Sequence, residues 1–287
     1  MDLEPDGVVP PDTDVVVGND PAIRDIERLL ETGKIEEGLR AIDAAIAAGR
    51  GNAADLTFLR GDACLGLGRA REAEREFRTV LQGDPDCPSS RCWLAMSLYL
   101  QWRFGEAEEA VAAARELPDA LVDADVVAGC LCERRGRYRE ADGLFERAAT
   151  ASPDKYSVPV RLSRDEFDHE VQEAVRALPD QFQQYLARMR VVVQVVPEEA
   201  LGRGVRRAGR EPLGPDMLGL FDGVSLSDEP QDGPASLPPV IYLFQRNLER
   251  MATGREDLTE QVRVALWHEL GHYLGLDEGE IDRLGLA

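Results

Sequence analysis

His268-Glu269-Leu270-Gly271-His272-Tyr273-Leu274-Gly275-Leu276-Asp277-Glu278 holds two of the chain's three histidines, four residues apart, with a glutamate directly after the first. At 3.6 residues per turn, positions 268 and 272 sit one turn apart and about 40° round the axis, so both imidazoles reach one metal ion from one helical face. Glu269 projects about 100° round from His268, beside such an ion, where a carboxylate accepts a proton from water. Gly275 can end the helix in a left-handed conformation that other residues resist, turning the chain back toward a third ligand. Glu278, ten residues after His268, has the best spacing; Asp277 is the alternative, with Glu280 and Asp282 close by. Two imidazoles and one carboxylate hold a single Zn²⁺ and leave a fourth place for water.

Working back from the motif, Thr253-Gly254-Arg255-Glu256 reads as a capping box opening its helix. Leu258, Val262, Leu266 and Tyr273 form the stripe that fixes this helix to a core. Val240–Phe244 and Val191–Val196 are β-branched or aromatic runs and predict strands; Leu218–Gly223 predicts a short strand into a turn. The stretches 197–216 and 227–239 read as loops, the second holding four prolines. Ser163-Arg164-Asp165-Glu166 is a capping box for a helix with Phe167, Val171, Ala174, Val175 and Leu178 on one face. A second short helix starts at Pro179-Asp180, and the third histidine, His169, is expected in solvent. Residues 163–287 thus read as a small α+β domain, preceded by a linker at 155–162.

Residues 21–154 repeat themselves. Ala73, Ala107 and Ala141 are 34 apart; four residues after each stands Phe77, Val111 or Phe145, and twelve before each stands Gly61, Ala95 or Gly129. Gly33 and Gly38 mark an earlier, weaker unit. Small residues at this period let two helices of a unit cross closely while larger ones fill between units, which predicts an all-α solenoid of stacked helix pairs. Cys64 and Cys132 fall at one repeat position and are expected as buried, inert thiols.

The net charge of -21 argues against nucleic acid or an anionic membrane as partner. The arginines of 203–210 are expected as a solvated loop. No run of 18 apolar residues exists, residues 1–20 lack a signal-peptide core and read as a disordered acidic arm with at most a strand at Val15–Val17, and five cysteines form no disulfide framework. These features predict a cytoplasmic protein. With only two lysines, Lys34 and Lys155, among 33 basic residues, the composition suggests a GC-rich bacterial genome.

The 34-residue period resembles the tetratricopeptide repeat, although no tryptophan stands at its usual place: Trp93 and Trp102 lie elsewhere in their unit. The resemblance implies a groove for a protein partner. From about 163 onward the chain resembles the minimal zincin-like metallopeptidases, small α+β domains with an extended H-E-x-x-H-x-x-G-x-x-D/E motif. That resemblance carries ligand roles onto His268, His272 and Glu278 and the base role onto Glu269. It implies a zinc metallopeptidase, an endopeptidase in type, acting on protein or peptide. Nine residues follow Glu278, too few for the Met-turn of metzincins. Two functions fit: a peptidase whose repeats recruit substrate or partner, or an interaction scaffold with a structural or weakly active zinc domain. The intact Glu269 favours the first.

Overall fold

In a computed structural model, residues 21–204, 213–226 and 238–284 are described, and they form two compact units, the first holding 21–157 with 213–215 and the second 158–204 with 216–226 and 238–284. The arm 1–20 with its expected strand at Val15–Val17, residues 205–210 of the arginine stretch, and most of the proline-rich loop lie outside the described residues.

The first unit is four helix pairs: α1 (Pro21–Glu31) with α2 (Ile35–Ala47), α3 (Ala53–Gly66) with α4 (Ala70–Gly83), α5 (Pro88–Leu100) with α6 (Phe104–Arg115), and α7 (Asp123–Arg134) with α8 (Tyr138–Ala151). The repeat residues make the pairs. Ala73, Ala107 and Ala141 are fully buried. The rings of Phe77 and Phe145 lie so close over Gly61 and Gly129 that an added Cβ would stand 2.7 and 2.6 Å from a ring carbon. Within each of the last three pairs the turn needs one left-handed residue, at positions 34 apart: Gly68 (φ 70°), Trp102 (φ 62°) and Gly136 (φ 73°). A tryptophan there carries a backbone cost of roughly 1–2 kcal/mol that glycine avoids. Its indole offsets this by packing: it is buried, 5.8 Å from the Phe104 ring and 5.1 Å beneath the Arg134 guanidinium, and its Nε1–H donates to the Leu213 carbonyl at 2.8 Å. Cys64, Cys92, Cys130 and Cys132 are buried thiols that form no disulfide. Burial pushes the Cys64 thiol up to about 11, consistent with an inert packing role.

Asp62 on α3 is buried, and its Oδ1 has no hydrogen-bond partner among the described residues. Burial pushes its carboxyl up to about 7, against a smaller downward pull from Lys155. The fold therefore favours the protonated acid. Ionising Asp62 in the folded chain costs stability progressively as pH rises from the ordinary carboxylate range to about 7, and the cost is complete above that. Asp62→Asn is expected to stabilise the fold at pH 8 by on the order of 2–4 kcal/mol, with a higher melting temperature, and to leave both nearly unchanged at pH 4. Thermal unfolding at the two pH values checks this; equal shifts at both would refute it.

The second unit opens with α9 (Arg164–Ala177), where Ser163 and Glu166 form the expected reciprocal capping box. There follow α10 (Asp180–Leu186), β1 (Arg190–Gln194), α11 (Glu199–Gly204), β2 (Gly219–Asp222), β3 (Val240–Phe244), α12 (Gln245–Met251), α13 (Arg255–Leu274) and α14 (Glu278–Arg283). The sheet order is β1-β3-β2, with β1 parallel and β2 antiparallel to β3. Leu258, Val262, Leu266 and Tyr273 of α13 are buried as the stripe predicts, against Phe167 and Val171 of α9 and Ile241 and Leu243 of β3. Two polar ties fix α13 to α9: the Trp267 indole N–H donates to the Ala174 carbonyl at 3.3 Å, and Glu170 accepts from Arg255 at 3.1 Å and Thr259 at 2.8 Å.

Candidate metal centre

The expected capping box at the start of α13 is displaced by one residue. Thr253 N–H and Oγ1 both donate to Asp257, at 2.7 and 2.9 Å, rather than pairing with Glu256. The Thr253 amide holds the Asp257 carboxyl below its ordinary value. Asp257 therefore suits the positive end of the helix dipole. The motif occupies the last two turns of α13. His268 and Glu269 are buried, and His272 is half-buried. The His268 and His272 Nε2 atoms converge to 3.0 Å, their rings at 87° to one another. Without an ion this is a hydrogen bond in which one Nε2 carries the proton. Two ligands each about 2.0–2.1 Å from one zinc must lie within roughly 4 Å of each other, so the pair fits a shared ion.

Glu269 makes a contact of its own on β2. Its Oε2 accepts the Phe221 N–H of β2 at 2.6 Å. The strand comes this close because residue 219 is glycine: an added Cβ would meet Glu269 Cγ at 2.9 Å and Oε1 at 3.2 Å. Phe221 also packs edge-on to Tyr273, ring centroids 5.7 Å apart. Gly219 and Phe221 are thus part of the site. The sequence places them in a strand, yet no local signal ties a residue 48 positions upstream to the motif glutamate.

The helix stops as its glycine requires. Gly275 is left-handed (φ 81°), its N–H donates to the His272 carbonyl at 3.1 Å, and Leu276 N–H donates to the Gly271 carbonyl at 3.1 Å. This is the paired Schellman arrangement. The chain then re-enters helix at α14, an element the sequence reading lacked. Asp277 Oδ1 accepts the Glu280 N–H at 2.9 Å and Glu280 Oε2 accepts the Asp277 N–H at 3.0 Å, a reciprocal cap that starts α14. Two of the acids that competed for the third-ligand role are therefore committed to the turn. Glu278 opens α14 with its backbone; its side chain is outside the described residues. Among the described residues no three His, Cys, Asp or Glu side chains converge as a complete ligand set. The seat of α14 on α13 is Gly271, where Ile281 packs so closely that a Cβ would stand 2.6 Å from its Cγ1. His169, as expected, stands in solvent, with Glu173 3.8 Å away.

Comparison with known proteins agrees with this architecture. Residues 186–286 match the family described as zincin-like metallopeptidase, and residues 26–73 and 65–120 match the tetratricopeptide repeat. None of the curated proteins compared with the chain matches it. Among solved structures, one titled YrrB, a TPR protein with an unusual peptide-binding site, is similar at 20% identity over 46% of this chain and 68% of its own, with a TM-score of 0.38. A structure of MamA (AMB-1) is similar at 19% identity over 45% and 75%, with a TM-score of 0.36. The chain carries tetratricopeptide repeats followed by a zincin-like metallopeptidase domain. No helix among the described residues is long and apolar enough to cross a membrane.

Proposed function

We propose that this chain, a repeat solenoid carrying a zincin-like domain, is a zinc-dependent peptidase that hydrolyses peptide bonds, with the repeats recruiting its protein substrate or partner. The observation that supports it best is the pair of contacts at the end of α13: two Nε2 atoms 3.0 Å apart, and a glutamate that accepts the Phe221 amide of β2. His268, His272 and Glu278 would hold one zinc ion. Glu278 is preferred to Asp277 because Asp277 and Glu280 spend carboxylate oxygens on capping α14. When bound, zinc supplies Lewis acidity, polarising a carbonyl and making water nucleophilic near neutral pH. Glu269 takes the proton from the attacking water and returns it to the leaving amine. Gly219 leaves room for that carboxylate, and Phe221 N–H orients it.

The decisive test is casein cleavage by the zinc-loaded chain and by Glu269→Gln. One zinc per chain with no cleavage of any peptide library would favour a scaffold with a structural metal site. Gly271→Ala provides a separate check on the third ligand. The added methyl pushes Ile281, and with it α14, away from α13. Zinc affinity, measured against a competing chelator, is expected to fall about 10- to 100-fold while helix content stays unchanged. Unaltered affinity would place the third ligand elsewhere.

A further inference from the structure

The solenoid contains a basic side chain where its inner face is acidic. The first helices of successive pairs touch one another, α3 with α5 and α5 with α7, so they line the concave side. Asp62 on α3 and Asp123 on α7 are both buried on these helices. After α8 ends, the chain turns: Lys155 and Tyr156 N–H both donate to the Ser152 carbonyl, at 3.1 and 2.9 Å. Lys155 and Tyr156 belong to a stretch expected as linker, yet Lys155 is only 13% exposed. Its Nζ lies 3.0 Å from Asp123 Oδ1, and the Tyr156 hydroxyl donates to the same oxygen at 2.5 Å. The positive charge of Lys155 is also felt at Asp62 on α3 and Cys92 on α5, where it lowers both pKa values against the upward push of burial. The ammonium lies 5.6 Å from the Tyr156 ring centre.

The fit is incomplete in one place. Asp62 Oδ1, on a side chain more than nine-tenths buried, has no hydrogen-bond partner among the described residues. A buried acceptor left unmet is costly, and a pocket shaped only around Lys155 has no need of it. The ammonium and the hydroxyl both go to one oxygen of Asp123, and Asp62 Oδ1 is left as spare acceptor capacity among the described residues; a bound cation would favour the ionised form of Asp62. A guanidinium, with five donors in a fixed fork, supplies more donors than the single ammonium of Lys155.

We propose that the inner face of the solenoid is a recognition site for a peptide bearing an arginine or lysine followed by an aromatic residue, with Lys155–Tyr156 occupying it as an internal ligand. A partner peptide binds by displacing the 152–157 turn and engages Asp62 as well as Asp123. This deepens the recruiting role proposed for the repeats and is independent of the metal site: binding is read without turnover, so a chain that binds but does not cut leaves it standing.

The test uses the full chain and dye-labelled Ser-Pro-Asp-Lys-Tyr-Ser and Ser-Pro-Asp-Arg-Tyr-Ser peptides, followed by fluorescence anisotropy. Opening the site with Lys155→Gln and Tyr156→Phe should tighten binding at least tenfold over wild type, with the arginine peptide the stronger. Adding Asp62→Asn to the opened chain should weaken binding at least tenfold. Equal binding by opened and wild-type chains, or indifference to Asp62→Asn, overturns the proposal. Should the opened chain not fold, hydrogen exchange on wild type decides: saturating arginine peptide should speed exchange of the Lys155 and Tyr156 amides, and unchanged exchange refutes displacement.

Discussion

Glu269→Gln is expected to lower kcat on casein or a peptide substrate by about 10²- to 10⁴-fold, the range a positioned general base supplies. Zinc content should stay at the wild-type level. Both halves follow from geometry. Glu269 leaves the helix about 100° from His268, so it contributes nothing to the pair of Nε2 atoms that converge to 3.0 Å. Glutamine keeps the side chain's length and one carbonyl oxygen to accept the Phe221 N–H, now 2.6 Å from Oε2. The backbone of β2 and the packing of Phe221 on Tyr273 are therefore preserved, and only the proton acceptor is lost. Metal analysis, a melting curve and a turnover assay on the same preparation separate these outcomes. Cleavage that persists at the wild-type rate would remove Glu269 from the mechanism.

His272→Ala is expected to weaken zinc binding more than about 100-fold, beyond the loss caused by disturbing a partner outside the ligand set. Activity should fall to background with it. There is also a readout that needs no substrate. An ion that binds the folded chain only, at 100 times its Kd, stabilises it by about 2.7 kcal/mol. For a domain of this size that raises the melting temperature by roughly 5–10 °C. Zinc should produce that shift in the wild type and in Glu269→Gln, and a chelator should reverse it. His272→Ala should show neither response. A zinc-dependent shift that survives in His272→Ala would mean that the ion is held somewhere other than at the paired imidazoles.

Much of this was legible before any coordinates. The 34-residue spacing of Ala73, Ala107 and Ala141 marks contacts that recur within one pair of helices, and such contacts follow from local period. Gly61 and Gly129 lie under Phe77 and Phe145 because only a bare α-carbon admits a ring there. Trp102 escaped this logic. Its position in the repeat is one that Gly68 and Gly136 fill for their left-handed backbone, and the tertiary contacts with Phe104 and Arg134 hold a residue there that propensity disfavours. The Thr253 cap was one residue off for a related reason. Asp257 reaches the same amide as Glu256 would, and the choice depends on how the turn enters α13. The short helix α14 was missed because six residues give too few turns for an apolar period to show.

The stretch from His268 to Glu278 divides along the same line. The sequence alone determined that two imidazoles share a helical face, that Glu269 faces elsewhere, and that the helix stops at Gly275, because these depend on 3.6 residues per turn and one left-handed glycine. Only the tertiary structure decided what Glu269 leans on. It also decided that Gly219 and Gly271 make room for the carboxylate and for α14, and that Asp277 and Glu280 cap a helix. The same holds for Lys155, which lies against Asp123. These are contacts between distant segments or choices among neighbouring acids, set by how elements pack and not by the period of any one of them.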